Sequence, residues 1–386
     1  MGAQSAAVIV GAYEHPDRRI ADRTVPQIHA EAARGALTDA GLTTADIDGL
    51  FAVGGDVTLP GLALAEYLGL SRLRHVDTTM TGGSSPVCQL GHAAAAIADG
   101  RCRVALISLA SRPRSAAQPP PGVDTPETTF ESVYGVSTIS AYALAAMRHM
   151  HEYGTTGEQL AAIKVAASHH AQYNPRALLR DVVTVEDVLA SPMLSSPLHR
   201  LDCCVVTDGG GAVVVVSPDV ARGLERTGVH LIGHAETVRH GDNGRLDLTT
   251  TAAQRTGPQA FAEAGVAPSD VDYASLYDSF TITVLETLED LGFCEKGKGG
   301  AFVLDRALHA PYGRLPINTD GGGLCNSHPG MGGMGKIVEA VRQLRGEAAP
   351  QVQVPDCRIA LVHGSGGRIG TRHAGATAVL RRAADA

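Results

Sequence analysis

The residues best suited to chemistry lie in one stretch, Asn318-Thr-Asp-Gly-Gly-Gly-Leu-Cys-Asn-Ser-His328-Pro-Gly-Met-Gly-Gly-Met-Gly335. Seven glycines and one histidine run there into a helical segment from Lys336 to Arg345. Backbone N–H groups exposed by glycine, beside a titratable imidazole, suit the stabilisation of a developing oxyanion. The same glycines suit tight turns at a helix entry. The stretch by itself leaves both readings open.

Other positions join it as candidates. Tyr277 lies in Leu276-Tyr-Asp-Ser-Phe280, and His363 follows the apolar run Ile359 to Val362. At the end of a strand each side chain either faces a cleft or anchors the core. Ser84, in Thr81-Gly-Gly-Ser-Ser85, has no His/Asp partner pattern, so it fits an oxyanion loop better than a nucleophile. Cys88 sits in a helix of small residues and reads as an inert core thiol, whereas Cys325 is the thiol nearest the glycine-rich loop. Tyr134 and Ser365 are further candidates for the pocket wall. His149/His151 and His169/His170 lack convergent carboxylates, so no metal site is expected. Gly364-Ser-Gly-Gly-Arg-Ile-Gly370 only half matches a dinucleotide fingerprint, and Lys296-Gly-Lys-Gly-Gly300 lacks the P-loop hydroxyl.

The elements that must position these residues read as a large α/β enzyme. Among 386 residues, 44% are hydrophobic but only 4% aromatic, and 45 are glycine. The core must therefore be aliphatic and packed close to backbone. A net charge of −8 without a basic stripe argues against nucleic acid. Seven scattered cysteines without a C-x-x-C suggest a reducing compartment. The N-terminus reads as a first strand, Ala6 to Gly11, and no apolar run reaches the ~20 residues of a membrane helix. A cytoplasmic protein is expected.

The chain repeats itself. Ala40-Gly-Leu-Thr-Thr-Ala-Asp-Ile-Asp48 is echoed by Ala264-Gly-Val-Ala-Pro-Ser-Asp-Val-Asp272, and Cys102-Arg-Val-Ala-Leu-Ile107 by Cys357-Arg-Ile-Ala-Leu-Val362. Both members of the second pair follow a Gly-rich turn and a helix, 86–99 before Cys102 and 336–345 before Cys357. Two pairs in one order point to two similar halves. The expected division is 1–225 and 226–386, with an insertion at about 112–197 that opens on the Pro-rich Gln118–Gly122.

Thr81–Ser85, His151-Glu-Tyr-Gly154, Leu201-Asp-Cys-Cys204, Leu276–Phe280, Leu288-Glu-Asp-Leu-Gly-Phe293, Asn318–Gly323, Ser327-His-Pro-Gly330 and His363-Gly-Ser-Gly-Gly367 span nearly the whole chain. In that order they resemble the motifs of the thiolase superfamily, in its sterol-carrier branch. The resemblance implies an α/β thiolase fold: two similar βαβαβαββ halves in a five-layer αβαβα arrangement with an inserted loop domain. It implies at least a homodimer and a coenzyme A thioester as substrate, with no cofactor. Thiolases carry a nucleophilic cysteine at the start of the helix that here runs from Pro86, and that position falls on Gly83. The superfamily's second reactive cysteine falls on His363, its loop histidine on His328, and its Asn (or His) on Tyr277.

A site without its thiol is similar to the thiolase-like aldolases of steroid side-chain breakdown, which work with an OB-fold acyl-CoA-binding partner. Tyr277 matches their tyrosine, while their second tyrosine is Asn326 here. The expected activity is retro-aldol cleavage of a bulky β-hydroxyacyl-CoA. Tyr277, His363 and His328 would act as catalytic groups, and Gly83, Ser84, Asn326, Ser365 and Tyr134 would line the pocket. The alternatives are an acyltransferase using Cys88 or Cys325, and an inactive scaffold subunit.

Overall fold

The computed structural model describes residues 7–53, 57–116, 126–241 and 245–383. Ala6 and the Pro-rich loop Gln118–Gly122 lie outside them. The strands are β1 (Val8–Glu14), β2 (Gly49–Val53), β3 (His75–Asp77), β4 (Val104–Ser111), a hairpin of β5 (Met193–Ser195) and β6 (Leu198–His199), β7 (Gly209–Val216), β8 (Val229–Arg239), β9 (Tyr273–Leu276), β10 (Ile359–Arg368) and β11 (Thr371–Arg382). The first helices are α1 (Val25–Ala40), α2 (Pro60–Tyr67), α3 (Ser85–Ala98), α4 (Pro126–Glu131), α5 (Thr138–Tyr153), α6 (Gly157–Ala171) and α7 (Val185–Ala190). The rest are α8 (Pro218–Ala221), α9 (Ala253–Ala264), α10 (Thr281–Asp290), α11 (Gly299–Phe302), α12 (Gly322–Cys325) and α13 (Gly333–Arg345).

Helix α1 shows how directly local sequence acts. Thr24 and Gln27 form a capping box, Pro26 opens the first turn, and Gly41 (φ 69°) ends the helix with its N–H on the Leu37 and Thr38 carbonyls. Ile28, Ala32, Ala36 and Leu37 face the core, as their spacing predicts.

The nine main strands hydrogen-bond in the order β3-β2-β4-β7-β1-β8-β11-β10-β9. In the first half β3, β2 and β4 are parallel and β7 and β1 antiparallel. The second half repeats that sequence: β9 and β10 are parallel, β11 and β8 antiparallel, and Ile317 bridges Ala274 where a third strand would lie. Two residue pairs, Val8–His230 and Ile9–Val229, join the halves.

The sequence echoes have a shared physical cause. Asp48 accepts from the N–H groups of Arg103 and Val104 (both 2.8 Å), and Asp272 does the same for Arg358 (2.8 Å) and Ile359 (2.9 Å). One carboxylate thus pins the start of β4 and its counterpart the start of β10, in identical registers.

The layers follow from which face is apolar. Helices α3 and α13 lie between the half-sheets, with Val87, Leu90, Ile337 and Val341 against Ile107, Val213, Val362 and Ala378. Helix α1 covers the outside of the first half. Helices α5, α6, α9 and α10 share a core with the outside of the second. The result is the αβαβα stack.

Local chemistry sets three boundaries. β7 begins at Gly209, ahead of the apolar run from Val213, because a Cβ at Gly210 would lie 2.3 Å from the Leu109 carbonyl and only glycine lets β4 approach. β10 runs on through His363-Gly-Ser-Gly-Gly367 to Arg368. Helix α3 starts at Ser85, and the Ser85 hydroxyl accepts from the Thr81 N–H (2.8 Å) and donates to the Gly82 carbonyl (2.7 Å).

Candidate active site

The site is built around Tyr277, one residue past β9. Asn318 holds that strand end by pairing both backbone groups of Leu276: its Oδ1 accepts at 2.8 Å and its Nδ2 donates at 2.9 Å. The Tyr277 N–H donates to the His363 carbonyl (3.0 Å), and the Cys204 N–H to the Ser279 carbonyl (2.9 Å). The backbone of Tyr277-Asp-Ser279 is therefore fixed on both sides.

The first glycines of the loop serve Asp278 instead of an open pocket. Gly323 and Leu324 donate their N–H groups to the Asp278 carboxylate at 2.8 and 3.2 Å, and Lys336 pairs with it at 2.5 Å. A Cβ at Gly322 (φ +59°) would fall 2.1 Å from Asp278 Oδ2, so that approach requires glycine. The oxyanion reading of those particular N–H groups gives way to a structural one. They neutralise a buried carboxylate that would otherwise be costly.

The second part of the loop does meet the candidate chemistry. Tyr277 Oη and His328 Nε2 are 2.9 Å apart, and the Gly332 N–H approaches the same oxygen at 3.4 Å. The His328 N–H donates to Thr207 Oγ1 (3.1 Å), which fixes the loop. Burial holds the imidazole down to about 4, with Asp278 opposing the shift and Lys336 adding to it. Burial pushes the Tyr277 phenol well above its usual value of 10. At neutral pH the pair is thus a neutral imidazole beside a protonated phenol.

Gly83 stands directly against them. A Cβ there would lie 2.2 Å from Tyr277 Oη, and a Cβ at Gly333 would lie 2.3 Å from the Gly83 carbonyl. The N-termini of α3 and α13 therefore converge beside the tyrosine hydroxyl. Two helix dipoles present their positive ends at one point.

The remaining candidates do not join this cluster. Gly364 and Gly366 face the start of α3, where Cβ atoms would lie 3.0 Å from Ser84 Cα and 1.6 Å from the Thr81 carbonyl oxygen. Their alternates His363 and Ser365 therefore point to the opposite face of β10. His363 Nδ1 pairs there with Thr377 Oγ1 (2.9 Å), and burial lowers its pKa to about 3. Ser84 turns its hydroxyl to the Thr81 carbonyl and hydroxyl (both 2.9 Å). Asn326 is consumed by a buried network: Arg18 donates to its Oδ1 (2.6 Å), and its Nδ2 donates to Glu14 (3.1 Å) and Asp320 (2.8 Å). Tyr134 is 84% exposed.

The rival thiols are directed elsewhere. Cys88 Sγ lies 3.4 Å from Thr81 Oγ1 and burial pushes its pKa up to about 12; Cys325 Sγ accepts from Lys164 Nζ (3.0 Å). Sequence reasoning missed two neighbours of Tyr277. Tyr142 of α5 stacks on Phe280 (centroids 4.3 Å apart), and both it and Cys204 act electrostatically on the Tyr277 phenol. The Leu201-Asp-Cys-Cys204 motif was the available signal for the second. Tyr142 carried none, since it lies in an insertion.

Known proteins resemble this chain along its length. The thiolase C-terminal domain-like family model matches residues 235–382. The 17-hydroxy-3-oxo-4-pregnene-20-carboxyl-CoA lyase of Mycobacterium tuberculosis is 35% identical over 91% of this chain and 94% of its own. An acetyl-CoA acetyltransferase of Methanothermobacter thermautotrophicus is 34% identical over 88% and 91%. Among solved structures, the Ltp2-ChsH2(DUF35) aldolase superposes with a TM-score of 0.90 at 31% identity, covering 100% of both chains.

Proposed function

Because the chain belongs to the thiolase superfamily, we propose that it cleaves a carbon–carbon bond in a bulky β-hydroxyacyl-CoA by a retro-aldol reaction, without an acyl-enzyme. The observation that carries this reading is the overlap of any Gly83 side chain with the Tyr277 hydroxyl, 2.2 Å from the Cβ position. A phenol bonded to an imidazole fills the place where the superfamily's nucleophilic thiol would stand. The lyase and the aldolase among the similar proteins support the same reaction class.

A retro-aldol step removes the β-hydroxyl proton and breaks the Cα–Cβ bond. It releases a carbonyl compound and leaves a thioester enolate, which takes a proton at the α-carbon. The Tyr277–His328 pair receives the hydroxyl proton, while the helix N-termini at Gly83 and Gly333 favour the enolate oxygen. The coenzyme A thioester enters as substrate. An acyltransferase on Cys88 or Cys325 is disfavoured, because Thr81 engages the first sulfur and Lys164 the second.

The partner proteins belong to the same proposal. Edge strand β3 carries the half-exposed Val76, beside exposed Leu62 and Tyr67 of α2 and Met80. An unpaired sheet edge with apolar neighbours suits a second copy of the chain. The exposed Phe130, Val133 and Tyr134 offer a separate surface to an OB-fold acyl-CoA-binding partner. Light scattering is expected to give about twice the 39.9 kDa chain mass; a single-chain mass would remove the dimer.

Product analysis tests the reaction itself. Purified protein, alone and with the OB-fold partner, is incubated with a β-hydroxyacyl-CoA bearing a ring system. A carbonyl compound and a shortened acyl-CoA in equal amounts are expected. Intact substrate in both incubations would sink the reading.

A further inference from the structure

Helix α10 is buried on every side, yet one stripe of it is polar. Ser279, Thr283, Glu286 and Asp290 recur at helical spacing from just beside Tyr277 to the far end of the helix. The stripe is connected at both ends. Ser279 Oγ lies 3.1 Å from Thr283 Oγ1, and the Ser279 side chain favours ionisation of the nearby Tyr142 phenol against its burial. Asp290 Oδ2 accepts from the Thr251 N–H (2.5 Å) and hydroxyl (2.9 Å), and its Oδ1 pairs at 2.6 Å with Lys296, whose side chain is 29% exposed.

Between those ends sits Glu286, fully buried, and neither of its oxygens has a hydrogen-bond partner among the described residues. Such a group is expensive to keep. A leucine at this position of an apolar helix would cost nothing comparable, so the carboxyl group needs a reason. Its charged and titratable neighbours are Asp290, Lys296, Glu289 and Asp247, with Arg239 and Tyr142 within electrostatic reach. Burial and the facing carboxylates hold it protonated well above the usual carboxylate range.

We propose that the Ser279–Thr283–Glu286–Asp290 face of α10 is a proton path linking the Tyr277 end of the site to the surface at Lys296, with Glu286 as its relay. This rests on the lyase reading. Each turnover loads the pair with the β-hydroxyl proton and needs one proton at the α-carbon, so the path carries the first outward to solvent and brings one inward for the enolate. Glu286 gives its proton toward Thr283 and the Ser279–Tyr142 hydroxyls and regains one from the Asp290–Lys296 end. The reverse transfer empties a protonated base. No net proton is consumed.

The test uses the full chain, as a set of Glu286 variants assayed for cleavage of the β-hydroxyacyl-CoA. Glu286→Gln keeps the shape and removes the ionisable proton. Its kcat is expected to fall about tenfold, less than the roughly 10²–10⁴-fold of a direct general acid or base because Glu286 acts through a relay, with KM within about twofold. Its solvent isotope effect on kcat is expected to rise. Added formate is expected to restore turnover in Glu286→Ala, where the truncated side chain leaves room. Unaltered kcat and isotope effect in Glu286→Gln, with wild-type cleavage intact, would overturn the path and leave the lyase reading standing. A wild type that cleaves nothing overturns both.

Discussion

Tyr277→Phe is expected to lower turnover on the order of 10²-fold or more while leaving the fold intact, as loss of a positioned proton-transfer group does. The residue is buried, and its backbone N–H is fixed on the His363 carbonyl. Phenylalanine keeps all of that and loses only the oxygen between His328 and Gly332. His328→Ala should match it in size, since each member acts through the other, and the double variant should be little worse than either single one. The pH profile separates the roles. His328 is neutral down to about 4, so kcat is expected to be level through neutrality and to fall as the pH drops through about 4, when protonation removes the imidazole lone pair. A wild-type rate in Tyr277→Phe would remove the pair from the mechanism.

The second large effect is expected at Gly83. In Gly83→Ala the new Cβ would sit 2.2 Å from Tyr277 Oη and 2.4 Å from two ring carbons. The ring cannot give way freely because Gly332 and His328 lie behind it, so the clash breaks the 2.9 Å bond. Overpacking of this kind costs about 1–3 kcal/mol, visible as a lower melting temperature. Cleavage is expected to fall on the order of 10²-fold, the effect of misplacing a catalytic pair. Gly83→Cys is the sharper variant: it puts a thiol back at the helix start but displaces the phenol, so it should lose the lyase without gaining acyl transfer. Rapid cleavage by Gly83→Ala would show that the tyrosine oxygen need not stand there.

How far the sequence could be read depended on the distance over which each feature is decided. The halves were legible because Asp48 and Asp272 do the same work in their local settings, pinning the strands that follow Cys102 and Cys357. Helix α1 was legible from its own cap and face. His363 was not, because a glycine motif after an apolar run resembles a turn. Its glycines instead let β10 continue under the start of α3, a contact made across 280 residues of chain. Asn326 is held by Arg18, 308 positions earlier, which no local pattern announces. Within the glycine-rich loop, Gly322 and Gly323 make the tight clamp on Asp278, while Gly332 and His328 lie against the Tyr277 hydroxyl.

On the proposed mechanism a phenol–imidazole pair stands in the place of a sulfur nucleophile, and no acyl-enzyme forms. Intact-mass spectrometry of the wild type, quenched during steady-state cleavage of a β-hydroxyacyl-CoA, tests it most directly. The chain is expected at its unmodified mass throughout, while products accumulate. A cysteine-linked acyl adduct that forms and decays at the rate of turnover would contradict it.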